Sequence, residues 1–138
     1  MTTPAPAPTP PKASKRDMVI KEMLMTEKTY VDKLTTIVEV FLIPLREKKI
    51  IDEEQLLLQF GAAEVIKQKH TILLEQFEVL DFNEVGRLFK SFIDDLVVYE
   101  DYLVNFDIAL TKRAGLLMSN RKFANYVETV RNEPSCKG

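Results

Sequence analysis

Residues 16–45 read RDMVIKEMLMTEKTYVDKLTTIVEVFLIPL, and the spacing of the apolar side chains in this stretch decides the fold. Ile20, Leu24, Glu27, Val31, Leu34, Val38, Phe41 and Leu45 step by three and four, which is the period of one face of an α-helix. Met23, Tyr30 and Ile37 widen the stripe on one side. Ser14, with Asp17 three residues later, supplies a cap at the start. Pro44 is expected to end or bend the helix at about Ile43, because proline removes a donor and crowds the preceding turn.

The same period continues outward from this segment. Asp52 opens a second helix, with Glu53 and Glu54 in its first turn where the dipole favours acids. Its inner row is Leu56, Phe60, Ala63, Ile66, His70, Leu73 and Phe77, interrupted by Gly61. A third helix from about Asn83 carries Val85, Leu88, Phe89, Phe92, Leu96, Tyr99, Leu103, Phe106 and Leu110, and Gly115 reads as its stop. A short fourth helix starts at Ser119 or Asn120 and carries Phe123, Val127 and Val130. No alternation of period two is sustained. The expected fold is all-α, an elongated bundle of long helices over residues 14–138. Residues 1–13, with Pro4, Pro6, Pro8, Pro10 and Pro11 among Ala and Thr, read as a disordered Pro/Ala-rich leader.

Composition narrows the function classes. The 138 residues are enough for one core, and 46% hydrophobic with 29% charged is ordinary for a globular domain. Nineteen basic residues against 21 acidic ones leave a net charge of −2, well mixed. That balance gives no long-range field for nucleic acid, so no nucleic-acid partner is expected. The single cysteine, Cys136, fits a reducing, cytoplasmic setting. No apolar run is long enough for a transmembrane segment, and the opening Met1-Thr2-Thr3-Pro4 does not read as a secretory signal.

The usual catalytic sets lack members. With His70 as the one histidine, a histidine metal site lacks its members, and a Ser-His-Asp triad would have to rest on that single side chain. Its place on the inner row points to packing or hydrogen bonding. No Gly-rich phosphate cradle occurs, and the neighbouring carboxylates Glu53/Glu54 and Asp94/Asp95 diverge around their helices. No metal, cofactor or covalent catalysis is expected. Glu27 lies on the apolar stripe of the first helix, where an unpaired carboxylate is costly. It needs a basic or donor partner within the bundle, and its role is structural. Glu22, Thr26, Thr29 and Lys33 instead cluster on another face of that helix, at about 100° per residue. They form a ridge of small polar groups around one carboxylate, which is either a partner-gripping surface or the wet side of an amphipathic helix.

The segment from Arg16 to Val31 resembles the first conserved block of Dbl-homology domains: an Arg, an apolar pair, Glu22-Met23-Leu24, Thr26-Glu27 and Tyr30-Val31. Leu34, Phe41-Leu42-Ile43-Pro44-Leu45, Phe60-Gly61, Ile66, His70, Leu73-Leu74, Gly86, Phe89, Phe92, Tyr99 and Tyr102 are similar to the family's pattern downstream of that block. The resemblance implies guanine-nucleotide exchange on Rho-family small GTPases. Glu22 would contact switch I with Thr26 beside it, and Thr29 and Lys33 would be accessory contacts. Nucleotide and Mg²⁺ would leave because the domain prefers the empty GTPase, with no bond made or broken. The family's third block and long final helix would begin just after Gly138. The resemblance therefore implies a partial domain lacking its C-terminal helices, able to make the switch I contact but weak or inactive in exchange. Glu27's partner would come either from elsewhere in the bundle or from those helices. An apolar groove left uncovered would favour self-association. The competing expectations are a non-catalytic helical interaction or scaffold module, and an inactive truncated fragment.

Overall fold

The computed structural model describes residues 3–5 and 14–136. The expected disordered leader thus lies mostly outside the described residues. Every regular element among those residues is helical, as the apolar spacing predicts.

The helix α1 (Lys15–Thr36) starts where Ser14 Oγ accepts the Asp17 amide, and runs 22 residues. It does not end at Pro44. One π-helical stretch, Ile37–Leu42, links it to α2 (Ile43–Glu47). Pro44 has no N–H for the carbonyl of Val40 four residues back; the Tyr126 hydroxyl, arriving from another helix, donates to that carbonyl instead. The rod therefore continues past the proline because a side chain replaces the missing donor.

A tight stop comes next. The Ile50 amide bonds back to Leu45 O at 3.1 Å and the Lys49 amide to Arg46 O at 3.2 Å, the paired bonds of a Schellman cap. Lys49 takes the left-handed conformation that this cap demands, with φ 52°. Asp52 then caps α3 (Glu53–Leu56), its carboxylate accepting the Gln55 amide at 2.8 Å. A second π-helical stretch, Leu57–Gly61, leads into α4 (Ala62–Glu78), so Gly61 interrupts the α pattern without ending the helix. The two π-helical stretches pack on each other, and Phe41 stacks on Phe60 with centroids 5.9 Å apart.

After a 3₁₀ turn at Phe82–Glu84 come α5 (Val85–Phe92), a 3₁₀ stretch Ile93–Val98 and α6 (Tyr99–Ser119). The third helix is thus two α-helices with a tighter segment between them, and Gly115 lies inside α6 rather than stopping it. The stop belongs to Asn120, which leaves helical geometry and caps α7 (Arg121–Val130) by accepting the Phe123 amide at 3.0 Å.

Packing is set by these faces. α1 lies along α4. One apolar core joins Ile20, Leu73, Phe77, Val85, Leu88 and Phe92 near the start of α1. A second joins Val38, Leu42, Leu45, Ile51, Leu56 and Phe123 at the other end of the rod. Between them along α1 lie Glu27 and Tyr30. The stripe of the third helix divides: Val85, Leu88 and Phe92 are buried, while Leu96, Leu103, Phe106 and Leu110 stand 42–67% exposed. Under α6 runs a groove of about 1090 Å³, lined among others by Tyr30, Phe41, Phe60, Phe106 and Phe123.

Candidate functional site: an exposed ridge over a buried polar node

The sequence puts the ridge on the part of α1 with no proline, no glycine and no break. Glu22, Thr26, Thr29 and Lys33 are all exposed there. Thr26 donates its hydroxyl to Glu22 O at 2.9 Å, and Thr29 donates to Met25 O at 3.1 Å. Both hydroxyl protons are therefore used within the helix, and the two oxygens are left to accept. Thr26 and Thr29 with the carboxylate of Glu22 form an acceptor-rich surface, suited to a partner's N–H groups or to a basic side chain. Lys33 at the far end adds the one positive charge.

Two further members of this surface escape a reading of the sequence. Met18 and Met25, 61% and 64% exposed, lie four and three residues from Glu22 on its flank. Unbranched thioethers adapt to a partner's shape, so the carboxylate sits beside an apolar shoulder. Their spacing of seven is visible in the sequence, but they are off the apolar stripe and carry no polar signal.

Beneath the ridge the structure brings Glu27 and His70 together. Glu27 Oε1 is 2.6 Å from His70 Nδ1, and both side chains are largely buried. The partner of Glu27 therefore comes from α4, inside the bundle. The chain of contacts goes on: His70 Nε2 is 2.7 Å from the Tyr99 hydroxyl, which is 2.6 Å from the Tyr30 hydroxyl. A carboxylate only accepts, so His70 Nδ1–H donates to Glu27, and the chain of hydrogen bonds continues from His70 Nε2 through the Tyr99 hydroxyl to that of Tyr30. Tyr30 and Phe92 both meet the imidazole edge-on, at centroid distances of 4.7 and 5.0 Å. This node ties α1, α4 and α6 at one level and fixes which way α1 is turned, and so which residues face outward.

Burial first, then the hydrogen bond with Tyr30 and the charges of Tyr30 and Glu27, push the Tyr99 hydroxyl well above its ordinary pKa. An unfolded tyrosine loses its proton near pH 10, whereas folded Tyr99 keeps it. The stabilisation is complete below about pH 10 and is lost as pH rises further, because there the folded state holds more protons than the unfolded one. Tyr126, also raised by burial, adds to the same fall. Thermal melts across about pH 9 to 11 should show stability dropping, with a shallower drop in Tyr99→Phe; equal slopes would rule out this role for Tyr99.

Among the described residues no helix is long and apolar enough to cross a membrane, and no cluster of His, Cys, Asp and Glu could hold a metal ion. The chain is similar to mouse ECT2, 30% identical over 141 residues that take in 94% of this chain and 15% of that protein. It is 29% identical over 128 residues to the Myosin-M heavy chain of Dictyostelium discoideum, covering 89% of this chain and 7% of that one. With mouse Rho guanine nucleotide exchange factor 39 it shares 26% identity, over 90% of this chain and 35% of the relative. The chain thus spans only a minor part of the length of these curated relatives. No solved structure gives a significant match. The model of the RhoGEF domain matches residues 19–138, which takes in the ridge from Glu22 to Lys33, the node and both apolar cores. The chain belongs to the RhoGEF domain family.

Proposed function

We propose that this chain is a guanine-nucleotide exchange factor domain for Rho-family small GTPases, docking switch I on the α1 ridge. The observation that carries it is the Glu22 carboxylate, exposed on an uninterrupted 22-residue helix and, among the described residues, without an internal partner. Membership of the RhoGEF family supplies the partner class. Switch I amides or a basic side chain would bond to Glu22, with Thr26 accepting beside it, Thr29 and Lys33 extending the contact, and Met18 and Met25 giving apolar area. Turnover needs no bond chemistry. Binding the nucleotide-free GTPase more tightly than the loaded form shifts the equilibrium toward release, and a swing from 1:99 to 99:1 takes a preference of about 10⁴-fold. The chain's expected place of action is the cytoplasm, where such GTPases meet their exchange factors.

The test is capture of nucleotide-free Rho- and Rac-type GTPases, together with release of a fluorescent nucleotide from the loaded ones. Glu22→Ala should weaken capture by roughly tenfold or more, the cost of losing a charge-assisted contact, with helical content unchanged. A chain that captures neither GTPase, or a Glu22→Ala variant that captures as well as the parent, would refute the proposal. The groove under α6 favours a second function, that of a scaffold binding a partner helix there; Glu22→Ala would leave such a partner in place.

A further inference from the structure

Among the described residues the methionines are Met18, Met23, Met25 and Met118, and the first three crowd into one short part of α1. At about 100° per residue, Met18 and Met25 lie within about 20° of each other, on one side of Glu22. They face away from the buried stripe of Ile20, Val31 and Leu34, and are 61% and 64% exposed against 38% for Met23. Their spacing sets them about 10 Å apart along the axis, so they bracket the Glu22 carboxylate and flank the Thr26 and Thr29 oxygens. Thioethers this open to solvent are accessible to two-electron oxidants, and the resulting sulfoxide is polar and chiral where the parent side chain is apolar.

We propose that Met18 and Met25 form a reversible modification site, at which oxidation to methionine sulfoxide by hydrogen peroxide releases the partner of the ridge. The inference rests on the docking of a GTPase at Glu22 proposed above. Each oxidation transfers one oxygen atom. The sulfur lone pair attacks peroxide, the O–O bond breaks as an S–O bond forms, and water leaves; the sulfur is oxidised and the peroxide reduced. The ridge already presents the Glu22 carboxylate and two threonine oxygens as acceptors, and the two methionines are its apolar shoulder. A sulfoxide there places a further acceptor where docking buries apolar surface, and a polar group buried without a donor is costly. The fold is indifferent to the change, because neither side chain belongs to either apolar core. Methionine sulfoxide reductases reverse the modification, which makes it a switch rather than a lesion.

The test is capture of nucleotide-free Rho- and Rac-type GTPases by chain that has been treated with hydrogen peroxide and then freed of it. Oxidation of Met18 and Met25, read by peptide mass spectrometry, should weaken capture by roughly tenfold or more, the cost of burying unpaired polar groups. Helicity by circular dichroism should be unchanged, and methionine sulfoxide reductases should restore capture. Met18→Leu/Met25→Leu keeps Met23, Met118 and Cys136, and should capture equally before and after peroxide, whatever its starting level. Met118→Leu should stay as sensitive as the parent. The proposal alone is overturned if peroxide leaves Met18 and Met25 unmodified, if the oxidised chain captures as well as the reduced one, or if peroxide still weakens the double variant. A reduced chain that captures no GTPase overturns both this inference and the docking on which it rests.

Discussion

Replacing Glu27 by leucine is expected to lower the unfolding free energy by about 1–3 kcal/mol, the range for leaving a buried hydrogen-bonding group unsatisfied. The cost arises less from the lost contact than from the group left behind. His70 Nδ1, 2.6 Å from Glu27 Oε1 in the intact fold, would be left with its N–H facing an apolar wall that includes Phe92. Glu27→Gln keeps an acceptor and should cost markedly less. The double variant Glu27→Leu/His70→Leu removes both polar partners, and Tyr99 and Tyr30 can still bond to each other. It should therefore regain much of the loss, since replacing both members of a buried pair by apolar groups is close to neutral. Urea unfolding of these variants and of His70→Leu alone measures this. If the losses of Glu27→Leu and His70→Leu simply add in the double variant, the node is not a coupled unit.

Phe123→Ala should cost about 3–5 kcal/mol, by emptying the centre of the second core. Phe123 is 2% exposed and packs with Leu42, Leu45 and Leu56. It anchors α7, whose first turn is held on one side by the Asn120 cap and on the other by Asn120 Nδ2 donating to Ile50 O at 2.9 Å. The neighbours cannot collapse into the space, because the Schellman cap behind Leu45 and the π-helical stretch before Leu42 fix their backbones. Against a typical total of about 5–15 kcal/mol, such a loss should be plain in the urea midpoint, and a decrease below about 1 kcal/mol would mean that α7 docks by other means.

How much of this could be read before the structure depended on whether the signal was local. The α1 stripe, the caps at Ser14, Asp52 and Asn120, and the all-helical class depend on neighbours within four residues, and all are present in the structure. Pro44 and Gly61 were legible as disturbances, but not as π-helical stretches, because the donor that rescues the proline comes from Tyr126, 86 residues away from Val40. Gly115 read as a stop since sequence alone cannot tell a glycine that ends a helix from one that faces open space. Apolar periodicity marked a stripe along the third helix, yet periodicity says only that a face is apolar, not that something covers it. Glu27 announced the need for a partner; that the partner is His70 depends on the register of α1 against α4. The ridge at Glu22 was legible as a cluster on one face, whereas its acceptor character depends on two threonine hydroxyls turning inward, a detail of rotamers.

The paired π-helical stretches carry a consequence for how the domain can change over time. Each accommodates one residue more than a regular helix of the same rise would hold, so each acts as a phase adjuster between the two halves of its rod. Deleting a single residue from Ile37–Leu42 would let the stretch revert to a regular α-helix, with Leu45 keeping its phase toward the second core. The same deletion in the regular part of α1 would rotate everything beyond it by about 100°. The rod can therefore lose a residue in that six-residue stretch at less cost to packing than anywhere else along it.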